Sequence, residues 1–292
     1  MNLGCQAEIF QLSHHRQYFF VVCHLQTNYS MKQLKRIVVK PLTEFDTLNL
    51  KVASKKDFDL RELEQVQNKE LLTKLHKIVA KTPGVIIASQ YGDKNYVNTQ
   101  IKSSRDKSKM FTFPEPNPIC IYYSSANRHL QQSYALKNKL FSEEQHFNAN
   151  YHYGNFIEYF QETSEGLILL SATIEGFINQ LLPENFELNI GGVMRKKKEI
   201  EWLDITMKIR QVVPSLTGID FLQTNGRDYA NICTVIDLRN DLIHLKKSTK
   251  ENITNYQALF KRLVDFDHVG CSDSVFTYIN TVIPNYLIEQ NE

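Results

Sequence analysis

Asp237-Leu238-Arg239-Asn240-Asp241-Leu242-Ile243-His244 is the stretch on which the reading of this 292-residue chain turns. At about 3.6 residues per helical turn, Asp237, Asn240, Asp241, His244 and Ser248 fall on one polar arc. Ile232, Val235, Ile236, Leu242 and Ile243 fall on the opposite, apolar arc, the pattern of an amphipathic helix in a bundle. Arg239 lies inside the apolar arc, where an unpaired guanidinium is costly to desolvate. A helix keeps such a residue where a carboxylate, a phosphate or a partner subunit meets it.

Working outward, the whole C-terminal half reads as helix. Residues 155–182 form one long helix ended by Pro183, and 187–193, with Gly191-Gly192, form a loop or turn. Residues 196–213 form a second helix stopped by Pro214, followed by helices at 229–247, 252–267 and 274–283. Short connections between them predict an antiparallel bundle. The N-terminal half reads as mixed α/β. Residues 7–12 and 18–25 pattern as a hairpin-like pair, 34–39, 85–88 and 119–123 as strands, and 60–81 and 128–140 as helices. Residues 92–117, polar, basic and proline-punctuated, read as a solvated loop, or as one that contacts nucleic acid. The expected class is therefore α+β: a mixed α/β domain over residues 1–145, then a helical bundle over 146–292, divided in the connector at 142–153.

Arg239-Asn240-Asp241-Leu242-Ile243-His244 also resembles the R-x(4–6)-H motif of HEPN domains. Leu169-Leu170-Ser171-Ala172-Thr173-Ile174-Glu175-Gly176-Phe177-Ile178-Asn179 resembles the early long helix of those domains, with its embedded acidic residue. The resemblance covers roughly residues 150–292 and implies a small all-helical unit, dimeric, of a superfamily in which many members are metal-independent ribonucleases. It further implies a role in conflict systems, as a toxin or in antiviral (anti-phage) defence. The first half of the chain resembles no known family.

Bulk properties frame this reading. Hydrophobic content of 42% and charged content of 23% belong to an ordinary globular protein long enough for two cores. No apolar run approaches the ~18 residues of a membrane span, and residues 1–11 lack a signal-peptide layout, so a cytoplasmic location without membrane contact is expected. Five scattered cysteines form no CxxC pair; neither a zinc ribbon nor a disulfide framework is indicated. Residues 1–150 carry 21 Lys and Arg against 13 Asp and Glu, whereas residues 151–292 carry 13 against 19. A basic half beside an acidic half suits one domain gripping a nucleic-acid backbone, or two domains attracting each other.

The candidate chemistry follows from residue types. Metal-free RNA cleavage needs a base for the 2′-hydroxyl, an acid for the leaving 5′-oxygen, and positive charge on the phosphorane. His244 supplies proton transfer and Arg239 a planar fork matched to phosphate oxygens. One set per chain is incomplete, and the HEPN resemblance implies that a homodimer completes it. Asn240 lies one turn from His244, where its amide can orient the ring or bind phosphate. Glu175 faces inward and is expected to position the site, or to pair with Arg239 structurally. Arg195-Lys196-Lys197-Lys198, read at a helix start, is either a solvated face or an RNA contact. The cluster Cys5, His14, His15, Cys23 and His24 fits no closed zinc spacing, so no metal and no cofactor are expected. A regulatory protein or nucleotide activator is compatible with the two-domain layout. A non-catalytic HEPN-like module that dimerises and binds nucleotide or protein is the alternative.

Overall fold

The structure, a computed structural model, describes residues 34–39, 44–45, 88–91, 94–105, 110–141, 149–245 and 256–290. The expected hairpin at 7–12 and 18–25 and the helix at 60–81 lie outside the described residues. Helices together with antiparallel strands give an α+β composition. The chain divides into two compact units, residues 1–30 with 40–117, and residues 31–39 with 118–292. The division thus falls at Asn117/Pro118 rather than at 145/146, and each unit is described by itself.

In the first unit, β1 (Glu44–Phe45), β2 (Ala88–Tyr91), β3 (Lys94–Lys102) and β4 (Met110–Pro114) form one antiparallel sheet built on β3. Tyr96 pairs with both Glu44 and Ser89, and the other half of β3 pairs with β4 from Asn98↔Pro114 to Lys102↔Met110. The stretch expected as a loop is therefore largely strand. Tyr96, Val97, Thr99 and Ile101 supply the β-branched and aromatic residues that outweigh its lysines and asparagines.

In the second unit, α1 (Pro118–Leu140) stands where a strand was expected at 119–123. Aromatic and β-branched residues suggested the strand, but Ile119, Cys120, Tyr123, Ala126, Asn127 and Leu130 repeat at helical spacing and are buried. Helix α2 (Ala149–Leu181) runs antiparallel to α1. Two glycines permit the approach: a Cβ on Gly166 would stand 2.7 Å from Leu130 Cδ2, and one on Gly176 2.7 Å from Ile119 Cδ1. This packing is why α1 belongs to the bundle.

Next come β5 (Glu187–Ile190) and β6 (Val193–Lys196), a hairpin where a loop was expected. Gly191 and Gly192 both have positive φ, 61° and 84°, which a two-residue hairpin turn of type I′ requires. The expected helix at 196–213 is broken into α3 (Lys197–Glu201), α4 (Ile205–Met207), a π-helical turn (Lys208–Val212) and α5 (Val213–Thr217). Asp204 caps α4 by accepting from the Thr206 and Met207 amides, which starts a new helix after Trp202. Pro214 does not end the helix: α5 follows directly on the π-helical turn and runs on through Pro214 to Thr217.

After α6 (Phe221–Thr224), α7 (Gly226–Ile243), α8 (Gln257–Val264) and α9 (His268–Val282) complete the bundle. Its core is aromatic-rich: Phe177 and Phe221 both meet Tyr278 edge-on, at 6.1 and 5.0 Å between centroids. Residues 34–39, expected as a strand, make one β-bridge, Ile37↔Glu289, flanked by Val38 N–H to Ile288 O and Gln290 N–H to Arg36 O, both 2.8 Å. Among the described residues, no helix is long and apolar enough to cross a membrane.

Candidate functional site

Helix α7 carries the motif. Its buried stripe, Ile232, Val235, Ile236, Leu238 and Leu242, follows the predicted arc, except that Leu238 joins it and Ile243 is 45% exposed. The helix is tied to α9 through Ser274, which donates to Asp228 at 2.8 Å and accepts from Asn231 at 3.0 Å. At the other end His244 is the C-cap, its N–H reaching Asn240 O at 2.9 Å.

Arg239 is half-buried, as its position predicts, and its guanidinium donates to Asn240 Oδ1 at 3.0 Å. Among the described residues it has no carboxylate partner. Asn240 therefore spends its amide oxygen on Arg239, and among the described residues no hydrogen bond orients the exposed His244 ring. Asp241, on the polar arc, is ion-paired with Arg262 of α8. Arg262 had no signal in the sequence, being 21 residues away. It adds a cation, 47% exposed, beside the motif.

The expected Arg239–Glu175 pair does not form. Glu175 meets Lys208 instead, with Nζ 3.3 Å from Oε1. Lys208 is fully buried and also donates to Asn179 Oδ1 at 3.1 Å and Glu201 O at 2.5 Å. Three acceptors thus surround the ammonium, which is what burial of such a charge requires. The extra residue of the π-helical turn lies where this lysine is aimed at α2. Its spacing from Ile205, Ile209 and Val212 within one apolar stripe was the available signal.

The basic run divides between elements: Arg195 and Lys196 end β6, and Lys197 and Lys198 begin α3. Lys197 pairs with Glu184 at 2.8 Å; each holds the other in its charged form, drawing the carboxyl below and the ammonium above their usual ranges. The Lys196 N–H donates to Glu199 at 2.9 Å. An open groove of about 520 Å³ runs here, with Lys196, Lys197 and Lys198 facing Glu184, Glu187 and Glu201. Its charge is balanced rather than strongly basic. Trp202, 84% exposed, follows it in the chain.

Within the bundle, Ser133 Oγ meets His268 Nε2 at 2.9 Å and Thr163 Oγ1 at 2.5 Å. All three are buried, so this serine–histidine contact is part of the core and not an accessible nucleophile. The one convergence of three metal-ligating side chains among the described residues is His129, Glu162 and Glu165, away from the motif on α1 and α2.

Comparison with protein-family models, with curated proteins and with solved structures gives no match.

Proposed function

We propose that the protein is a metal-independent endoribonuclease of HEPN type that acts as a homodimer. The observation that carries this reading is the state of Arg239: half-buried, braced by Asn240, and without a carboxylate among the described residues to neutralise it. A guanidinium so held has its charge available for a phosphate. His244, exposed at the end of the same helix, is available for proton transfer. In the reaction the 2′-hydroxyl loses its proton and attacks the adjacent phosphorus. The P–O5′ bond breaks, the 5′-oxygen takes up a proton, and a 2′,3′-cyclic phosphate remains. Arg239 balances the charge of the phosphorane, and the symmetry-related His244 supplies the second proton-transfer group.

Glu175 acts at a remove in this scheme, holding Lys208 and so the π-helical turn against α2. Arg195, Lys196, Lys197 and Lys198 contribute backbone contacts to RNA through whichever charges Glu184, Glu187 and Glu201 leave unbalanced. The N-terminal unit grips substrate or takes a regulatory protein or nucleotide, and a cytoplasmic setting in antiviral defence or as a toxin fits such an activity. A second reading, a non-catalytic dimerisation module that binds nucleotide or protein, is favoured by the exposed His244 ring, which no described residue orients.

Incubation of the purified chain with total RNA in EDTA tests the proposal. Cleavage to products ending in 2′,3′-cyclic phosphate is expected. Wild-type-like cleavage by a well-folded His244→Ala protein removes the ribonuclease reading and leaves the binding module.

A further inference from the structure

On the α1–α2 face, His129 Nδ1 stands 2.8 Å from Glu162 Oε2 and 3.1 Å from Glu165 Oε2. Glu162 and Glu165 are three residues apart on α2, so helical geometry puts both carboxylates on one side, facing a single imidazole from α1. The three side chains are 17%, 23% and 43% exposed, neither sealed in nor freely solvated. Among the described residues, no other cation pairs with either carboxylate. Two negative charges therefore meet one nitrogen base, and the imidazole neutralises at most one of them.

We propose that His129, Glu162 and Glu165 bind one divalent transition-metal ion, zinc by preference. Nitrogen and carboxylate donors suit zinc, with ligand distances of about 2.0–2.2 Å. Ligand atoms on such a tetrahedron stand roughly 3.3 Å apart. The three donor atoms already lie within 4.8 Å of one another, so closing round an ion takes side-chain adjustment alone.

The surroundings hold the donors in place. Gln161 Nε2 donates to Glu165 Oε1 at 3.1 Å, which leaves Oε2 toward the imidazole. In the orientation that satisfies its hydrogen bonding, with the nitrogen toward Glu162, the Gln132 amide would donate to Oε2 of that carboxylate at 2.7 Å. Such outer contacts orient ligating oxygens. The ligands lie beside two close contacts of the helix pair, the Gly166–Leu130 approach and the Ser133–Thr163 hydrogen bond, so packed helices position them. With three protein ligands the fourth position belongs to water, and the ion fastens α1 to α2.

The proposal is independent of the ribonuclease reading, because no ligand comes from α7 and cleavage in EDTA is a separate measurement. The test uses the full chain, stripped with EDTA and titrated with Zn²⁺ by calorimetry, with Co²⁺ absorption as a report on coordination. Wild type is expected to bind one equivalent on α1–α2 and to gain thermal stability from it. His129→Gln, which keeps a hydrogen bond but loses the nitrogen ligand, and Glu162→Gln are each expected to lose that equivalent and the thermal gain. Circular dichroism checks that both remain folded. Glu165→Gln is expected to weaken binding at least tenfold. Failure of wild type to bind zinc overturns the site. So does undiminished stoichiometry in folded His129→Gln, because the ion would then sit elsewhere in the chain.

Discussion

Lys208 and Arg239 are both cations set in apolar stripes, and the structure treats them in opposite ways. Lys208 is wholly buried and has three acceptors, Glu175, Asn179 and the Glu201 carbonyl. Arg239 is half-buried and, among the described residues, has one, the amide of its own neighbour. A charge whose partners are all internal is committed to the fold, since removing any partner exposes a desolvation cost of several kcal/mol. A charge left with a single neutral acceptor keeps most of its capacity for an anion. The difference directs the search for function to the cation with fewer partners among the described residues.

The largest effect that follows is on cleavage. Arg239→Ala and His244→Ala are each expected to lower RNA cleavage by between about a hundredfold and ten-thousandfold, the span for losing an acid–base or charge-stabilising group. Both proteins should stay folded, because Glu175 depends on Lys208 rather than on Arg239. Single-turnover assays on a defined RNA, paired with urea denaturation, make the check. An Arg239→Ala protein that unfolds would place Arg239 with Lys208 and erase the contrast.

The counterpart is a loss of stability without direct loss of chemistry. Lys208→Ala is expected to cost about 3 kcal/mol, since it vacates a fully buried side chain and leaves the Glu201 carbonyl without its donor. Lys208→Met should cost less, because it fills the space and brings no charge to satisfy. Chemical denaturation of both separates the two contributions. Equal stability of wild type and Lys208→Ala would mean that the buried ammonium holds nothing together.

The sequence made α7 legible because its apolar residues repeat along one stripe, and the same periodicity placed Arg239 inside that stripe, where the structure leaves it half-buried. The long α2 was equally plain. Elsewhere local signals competed. Ile119-Cys120-Ile121-Tyr122-Tyr123 has strand composition but helical spacing, and packing against α2 decided for helix. Gly191-Gly192 announced a turn, yet nothing local declared that Glu187–Ile190 and Val193–Lys196 would pair across it. The candidate site was half legible. Which residues carry charge could be read, but which pairs form could not, because Glu175–Lys208 and Asp241–Arg262 are made by tertiary packing across 33 and 21 residues.

A buried base sharpens the contrast by pH. Burial holds His268 down at about 4, against an ordinary value of 6.5, with the Lys137 charge acting the same way. The folded state therefore prefers the neutral ring, while the unfolded chain takes up a proton below pH 6.5. Stability should be whole above that pH, fall as pH drops through the window from 6.5 to 4, and level off below it. At about 1.4 kcal/mol per unit over about 2.5 units, the loss from this group is at most about 3.5 kcal/mol. His268→Gln should flatten that part of the stability–pH curve. An unchanged slope in a folded variant would assign the effect to other groups.

The smallest effect is expected where both partners are already in water. Asp241 and Arg262 are 48% and 47% exposed, and such pairs contribute little to stability. Asp241→Asn should therefore leave the denaturation midpoint nearly unchanged, within about 0.5 kcal/mol. Its electrostatic consequence is larger than its structural one. The substitution removes a negative charge one residue from Asn240 and releases the Arg262 guanidinium to face the same arc as His244. If a phosphate binds there, RNA affinity should rise by about twofold to fivefold, and the gain should shrink as salt is raised. Arg262→Gln should act in the opposite direction, since it leaves Asp241 uncompensated beside the motif. Binding titrations at two salt concentrations distinguish these outcomes. Identical affinity for wild type, Asp241→Asn and Arg262→Gln would show that RNA does not approach this end of α7. The free charge of Arg239 would then have to be sought by some other anion.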